Sequence, residues 1–523
     1  MGDYDAIIVG AGHNGLICAL YLARQGWRVL VLERGAEVGG GLRSAQLTVP
    51  GFHHDRYATN LGFFAASPVY RELKAEFDAF GVRLLRSERA YASIHGNRAV
   101  RVYTDIERTL QDVGAIQAAE REGWRKLVEF YRRVAPKFLP LFYVECPSRE
   151  MWQRISRIAL GSPGDAFRLA NSLRQTSAGF ASSFFRTPEM KGVLEAWGYH
   201  LDFGPYVAGG GIFAFVAAMS AHLNGMPIVE GGAGRIGEAL RALIERAGGK
   251  VRTNAEVSQI IVKSGQATAV QTIDGEQFVA RRAVIANVTT KKLFGGLIAP
   301  EKLDPRFFEK TQRFHYCPGT FIIHLALDRA LNWRLTDELA RFNYVHLNAT
   351  ESDIDETYQG SLKGLLPVRP LLVVSQTTPI DPSRAPVGKH IVRIHVRSVP
   401  GQIAGDQGGT ITSCNWQDAQ EPFTRRVLDL VEGHAPGLRA SIIGQAVESP
   451  VDIEHQNPNF IGGDCVSGSH HITQNFMFRP LAGWSNYKTP IHNLYMIGAS
   501  TWPGGGINGG SGYLLAKRLG TPG

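Results

Sequence analysis

An α/β fold built on a parallel sheet is predicted by two features at opposite ends of the chain. The first is a strand, glycine loop, helix and second strand within the first 33 residues; the second is a short strand, a glycine-dense loop and a helix at the C-terminus. Taken in order, Asp5-Ala6-Ile7-Ile8-Val9 is a short apolar run of the kind that forms a buried parallel strand. It leads directly into Gly10-Ala11-Gly12-His13-Asn14-Gly15. Leu16 to Gln25 carries apolar residues at helical spacing, and Trp27 to Leu32 reads as the second strand, ending at Glu33. Without side chains at Gly10 and Gly12 the backbone can turn sharply and approach a pyrophosphate, while Gly15 allows helix and strand to pack closely. The diphosphate would lie at the helix N-terminus, where free N–H groups favour negative charge. Glu33 is placed to accept hydrogen bonds from an adenosine ribose. The bland alternative, a merely tight strand–helix turn, does not account for the acid at the right distance.

The residues after Glu33 narrow the dinucleotide. Arg34-Gly35-Ala36-Glu37-Val38-Gly39-Gly40-Gly41-Leu42 places a second glycine cluster six residues past the acid, where nicotinamide enzymes normally continue into another helix. This suggests a loop pressed on the same diphosphate from its other side. At the C-terminus, Asn493 to Ile497 reads as a strand, followed by Gly498-Ala499-Ser500-Thr501-Trp502-Pro503-Gly504-Gly505-Gly506-Ile507-Asn508-Gly509-Gly510 and a helix from Ser511 to Leu519. Glycines this dense let backbone amides approach something flat and polar. A glycine-rich surface tail would lack the flanking strand and helix.

These residues resemble the FAD-binding oxidoreductases of the amine oxidase superfamily. The run Ile8 to Leu16, Phe478-Arg479-Pro480-Leu481 and Asn486 to Tyr495 resemble the phytoene desaturases, the carotene ketolases and the related pyridine nucleotide-disulfide oxidoreductase domain-containing proteins. The resemblance covers the first sixty residues, about 225–295 and the stretch beyond 475. It implies a Rossmann-like FAD-binding domain of the glutathione reductase type with a discontinuous α+β substrate domain. The expected FAD domain comprises 1–75, 225–295 and 455–523. The inserts 76–224 (helical) and 296–454 (sheet) are expected to form the substrate domain.

By the same resemblance the cofactor is non-covalent FAD, and no cysteine lies in the C-terminal loop where related enzymes attach it. Gly10, Ala11, Gly12, His13, Asn14, Gly15, Glu33, Arg34, Gly39, Gly40, Gly41, Leu42, Thr59, Asn60, Val257, Asn287, Gly498, Ser500, Ile507 and Asn508 are expected to bind it. His54 and Trp502 are expected beside the flavin ring as orienting residues. Two positions depart from many relatives: Gly41 stands where they have Arg, and Trp502 where they have His.

A second GxGxxG, Gly232 to Gly237, follows only the proline-led stub Pro227 to Glu230, so it does not read as another nucleotide site. Helix Glu238 to Ala247 and strand Lys250 to Val257 resemble the superfamily segment that returns to the adenine, with the Val257 backbone against the base. Arg282 to Asn287 reads as the next strand. In the insert, Phe314 to Leu325 and Lys389 to Val396 read as strands, and Gly401 to Thr410 as a mobile surface loop.

Composition constrains the rest. The 523 residues, 44% of them apolar, suffice for a large core and more than one domain. The first strand begins so early that no signal peptide is expected, and five scattered cysteines without a CxxC pair suggest a cytoplasmic protein with free thiols. No His/Cys cluster suggests a metal. The most apolar run, Ile212 to Met219, is far short of the roughly 20 residues needed to span a bilayer and reads as a buried helix lining a pocket. The chain carries a net +9, and residues 121–174 hold eleven Lys and Arg against five acids, with eight aromatic residues. An ordinary solvated face on a basic protein is the expected reading of such a segment, with a peripheral membrane contact as the alternative; no nucleic-acid module accompanies it.

The expected function is hydride removal from a hydrophobic substrate by FAD, a desaturation or oxidation of isoprenoid or polyene type, with oxygen or a quinone as acceptor. The alternatives are an oxidase of a smaller amine, alcohol or aromatic compound, and a flavin-stabilised interaction protein.

Overall fold

A computed structural model of the chain describes residues 3–520. Five parallel strands run in the order Lys250–Arg252, Val29–Leu32, Tyr4–Val9, Gln277–Ala286 and Leu494–Met496. Side chains alternate between the two sheet faces, and here both faces are covered, which is why the strands read as unbroken apolar runs. Ala6, Ile8, Val29, Val31 and Ile285 pack beneath helices His13–Arg24, Gly234–Arg246 and Gly510–Gly520. Ile7, Val9, Leu30, Leu32 and Val284 pack on the opposite side, toward the antiparallel strands Val257–Lys263 and Gln266–Thr272. The C-terminal helix lies so close to the first helix that a Cβ on Gly512 would meet the Asn14 carbonyl oxygen at 2.0 Å.

A second, mixed sheet has seven strands in the order Ile442–Glu448, Gly319–Leu327, His390–Val399, Leu372–Gln376, Tyr344–Leu347, Arg89–His95 and Arg98–Tyr103. All pairs are antiparallel except Tyr344–Leu347 with Arg89–His95. The sequence predicts only helices in 76–224; the structure adds the strands Arg89–His95 and Arg98–Tyr103 before them. Arg89, Arg98 and Arg101 break up the apolar pattern that would mark them. One face of this sheet is apolar: Phe321, Ile323, Val345, Val392, Ile394 and Val396 pack under helix Trp416–His434. The other face carries Tyr91, His324, Tyr344, His346, Arg393, His395 and Arg397, all buried. Helices Ala118–Phe138, Pro188–Tyr199 and Gly210–Asn224 lie on the side of that polar face.

The loop Gly401 to Thr410 is tied down. Asp406 accepts two hydrogen bonds from Arg426, at 2.6 and 2.8 Å, and the N–H groups of Thr410 and Ile411. Among the described residues no helix is long and apolar enough to cross a membrane, and no group of three potential ligands could hold a metal.

Candidate active site

A cleft of about 800 Å³ runs between the two sheets. At one end it is lined by Gly10, Gly12, His13 and Asn14 from the first loop, and by Gly40 and Gly41 from the second. The two loops are bound together by the Gly39 N–H, which donates to the Ala11 carbonyl at 2.8 Å. A Cβ on Gly40 would stand 3.0 Å from the Gly12 Cα, and one on Gly15 only 2.4 Å from the Gly10 carbonyl oxygen. Gly10 itself sits at φ +95°, in the left-handed region. Asn287, at the end of the neighbouring strand, donates from Nδ2 to the Gly10 carbonyl at 3.1 Å, bracing the turn from below.

Glu33 and Arg34 line the same cleft beyond the turn. The Glu33 carboxylate accepts the Ala11 N–H at 2.8 Å and the Gly35 N–H at 2.9 Å, so backbone donors hold it at the strand end. Val257 closes this end from the side, its backbone paired with Thr272. Burial pushes the His13 imidazole down to about 4, so this side chain enters the loop neutral. Thr59 and Asn60 line the middle of the cleft, followed by Gly498, Ser500 and Ile507 from the C-terminal loop. The Ser500 hydroxyl donates to the Ser467 carbonyl at 2.8 Å.

The donor set therefore fits FAD: two glycine turns with open N–H groups for the diphosphate, a carboxylate at ribose distance, and a long slot beyond. Cys465 also lines the slot, its thiol pushed up by burial to about 12. Bound FAD supplies hydride acceptance; the chain supplies position and exclusion of water.

The remaining expected site residues stand elsewhere. Ala11, Gly15, Gly39 and Leu42 do not line the cleft; they shape the loops from behind. Asn508 faces a second cavity, where its side chain ties Gly504 and Gly505 and accepts the Gly510 N–H at 2.8 Å. His54 lines neither space. It is buried against His324 at 5.3 Å between ring centroids, bonded to the Thr48 hydroxyl at 3.0 Å, and burial pushes it down to about 3. Trp502 likewise lines neither space: its Nε1–H donates to the Val144 carbonyl at 2.8 Å and its ring stacks on Phe142. A large apolar ring with a single donor found a dry partner in the helical insert, and the glycines beside it, not the ring, border the cleft.

Several participants were not anticipated. Arg43 lines the diphosphate end and donates to the Gly40 carbonyl at 3.3 Å. Arg479, fully buried, donates to the carbonyls of Ala499, Ser469 and Gly468 at 2.6, 2.7 and 3.2 Å and so clamps the C-terminal loop. Opposite the loops, the far wall is built by Trp197, His200, Tyr344, Arg393, His395 and Arg397. For Arg393, His395 and Arg397 the signal was the strict alternation of Val or Ile with Arg or His from 392 to 397, a polar strand face inside a buried segment.

The second GxGxxG serves the chain itself. The Ala233 N–H donates to the Asp55 carboxylate at 2.8 Å and the Gly234 N–H to the Ser44 hydroxyl at 3.0 Å, filling that helix N-terminus. Asp55 is in turn paired with buried Arg384 at 3.1 Å.

A second cavity of about 980 Å³ adjoins the first and shares Phe63, Leu201, Ser220 and Gly505 with it. Ile212, Phe213, Val216, Phe138, Phe142 and Phe476 make its walls, so the apolar run at 212–219 does line a pocket. Exposed Arg71 and Arg132 border its outer end.

Comparison with known proteins agrees with this geometry. The pattern of the family "Flavin containing amine oxidoreductase" matches residues 15–510. A limonene dehydrogenase subunit from Castellaniella defragrans is 27% identical over 561 residues, covering 98% of this chain and 94% of that protein. Prolycopene isomerase 1, chloroplastic, of an Oncidium hybrid cultivar is 26% identical, covering 99% and 84%. An oxidoreductase structure from Methanosarcina mazei has the same fold, with a TM-score of 0.61 at 18% identity over 98% of this chain and 99% of that one. The chain belongs to the flavin containing amine oxidoreductases and is an FAD-dependent oxidoreductase with a Rossmann-like cofactor domain.

Proposed function

We propose that the protein removes hydride from an apolar substrate of isoprenoid or polyene type. The observation that carries this reading is the second cavity: an apolar chamber of about 980 Å³ sharing four wall residues with the flavin cleft. A long chain could lie in it with one carbon roughly 3–3.5 Å from the flavin. The relatives named for limonene and prolycopene support the same class. A cationic amine fits poorly, because Arg393 and Arg397 on the far wall would repel it.

In this reading 1–75, 225–295 and 455–523 form the cofactor domain, and the loop, strand-end and C-terminal residues lining the cleft hold FAD. Oxygen or a quinone takes the electrons. The consecutive helices Arg149–Gly161 and Pro163–Ser172, beside the second cavity, rest on a membrane, from which an apolar substrate would enter. The support for this is the pairing of exposed Trp152, Ile155, Leu160 and Phe167 with exposed Arg157 and Arg168.

The test is anaerobic bleaching of the flavin absorbance by carotenoids and acyclic isoprenoids against amines and aromatic alcohols. Bleaching by an isoprenoid is expected. Faster bleaching by a diamine, with isoprenoids inert, would replace this reading by a small-molecule oxidase.

A further inference from the structure

The far wall of the cleft holds more positive charge than the cofactor accounts for. Arg393, His395 and Arg397 project from one face of strand His390–Val399, and all three are at most 8% exposed. Among the described residues no carboxylate forms a salt bridge with either guanidinium. Arg393 donates from Nη1 to the Tyr57 carbonyl, and its Nε has no partner. Arg397 donates from Nη2 to the His200 carbonyl, and its Nη1 lies 3.3 Å from the His395 Nε2. Nearby acids are already engaged: Glu448 by Arg56 and His324, each at 3.1 Å, and Asp464 by the N–H groups of Cys317, Val466 and Gly468. The other groups on this wall, Trp197, His200 and Tyr344, bring no negative charge; burial holds His200 and His395 neutral.

A buried guanidinium without a counter-ion is costly, and two flanking one imidazole are more so. The FAD diphosphate does not satisfy them, since the glycine turns that receive it have Arg34 and Arg43 at their own end of the cleft. We infer that the substrate carries an anionic end, a carboxylate, which Arg393 and Arg397 take from either side of His395 while the apolar body extends into the second cavity. The planar guanidinium matches a carboxylate through paired N–H donors. The inference rests on the apolar-substrate reading and adds a polar end to it, making these two arginines specificity-determining residues.

Two matched pairs test it in the holoenzyme: farnesoic acid with its methyl ester, and dodecanoic acid with its methyl ester. Binding is read from perturbation of the oxidised flavin spectrum, which needs no turnover. Each acid is expected to bind at least ~10-fold tighter than its ester. Arg393→Gln and Arg397→Gln should each erase most of that ratio with FAD retained, and Arg397→Lys should restore part of it. A purely structural role would weaken acid and ester alike, and that result would overturn the inference. So would an unchanged acid-to-ester ratio accompanied by a shifted flavin potential in Arg393→Gln, which would assign the charge to the flavin. An acid preference confined to the dodecanoic pair would keep the anionic end and remove the isoprenoid body. No binding by any of the four would overturn both.

Discussion

At the scale of single residues, the cofactor turn is held by the absence of side chains. Gly15 is the strictest case, because a methyl group there would stand 2.4 Å from the Gly10 carbonyl oxygen and 2.8 Å from the Asn287 Nδ2. Backbone cannot yield as a flexible side chain can, so Gly15→Ala must open the turn. At Gly12 the first obstacle is the Asn287 amide at 3.0 Å, and a valine would in addition fill the approach to the diphosphate. Both Gly15→Ala and Gly12→Val should therefore purify without yellow colour, with FAD affinity reduced by at least ~100-fold, about 2.7 kcal/mol. Flavin content of the purified variants measures this, and full occupancy in either would contradict the placement of the diphosphate.

At the scale of elements, the basic segment 121–174 divides into two parts with different roles. In helix Ala118–Phe138 the aromatic residues Trp124, Phe130, Tyr131 and Phe138 point into the core, so its basic residues are an ordinary solvated face. In helix Arg149–Gly161 only Met151 is buried, while Leu160 is 85% exposed and Phe167 on the following helix 74%. Apolar side chains left in water beside arginines are the features of an interfacial contact. Leu160→Asp with Phe167→Asp should cut co-sedimentation with anionic phosphatidylserine vesicles several-fold, leaving FAD content and thermal midpoint unchanged. Equal sedimentation of the native and doubly substituted proteins would remove the membrane contact. Charge reversal at Arg125 and Lys126, on the solvated helix, serves as the internal control and should have the smaller effect.

At the scale of the whole molecule, the polar sheet face makes the protein sensitive to acid. Burial pushes His54 and His346 down to about 3, and His95 and His222 to about 4. In the unfolded chain each takes a proton near its ordinary value of about 6.5, which the folded protein refuses. Their contribution to stability is thus present above about pH 6.5 and is lost as the pH falls toward 3–4. Glu195 and Asp202 act oppositely: burial raises them to about 8 and about 7, so they increasingly favour the folded state as the pH falls from there to about 4, where the unfolded carboxyls also protonate. The histidines outnumber them, at about 1.4 kcal/mol per pH unit for each unmatched proton. Urea midpoints of the holoprotein should therefore peak near neutrality and fall by a few kcal/mol equivalent between pH 6.5 and 5. His346→Asn should flatten that slope by about one proton. A midpoint at pH 5 equal to that at pH 7 would contradict this account.

The cofactor half of the molecule was legible in the chain before any contact was known. Glycine spacing, a strand-end acid and unbroken apolar strands are local constraints: each follows from what a few consecutive residues can do sterically, so Gly10, Gly12, Glu33 and Gly40 could be placed together at one cleft directly. Asn287 was readable for the same reason, as the last residue of a recognisable strand. The substrate side emerged only on folding. Trp502 and His54 were expected beside the flavin by family resemblance, yet both line neither cavity, because a side chain's direction depends on distant partners such as Val144 and His324. Arg393 and Arg397 came to the cleft through the pairing of His390–Val399 with strands 319–327 and 372–376, which no local pattern specifies. The second cavity exists only between helices that are far apart in sequence. A chain's local geometry dictates where a backbone can bend around a phosphate; only packing between distant segments dictates what faces the space left over.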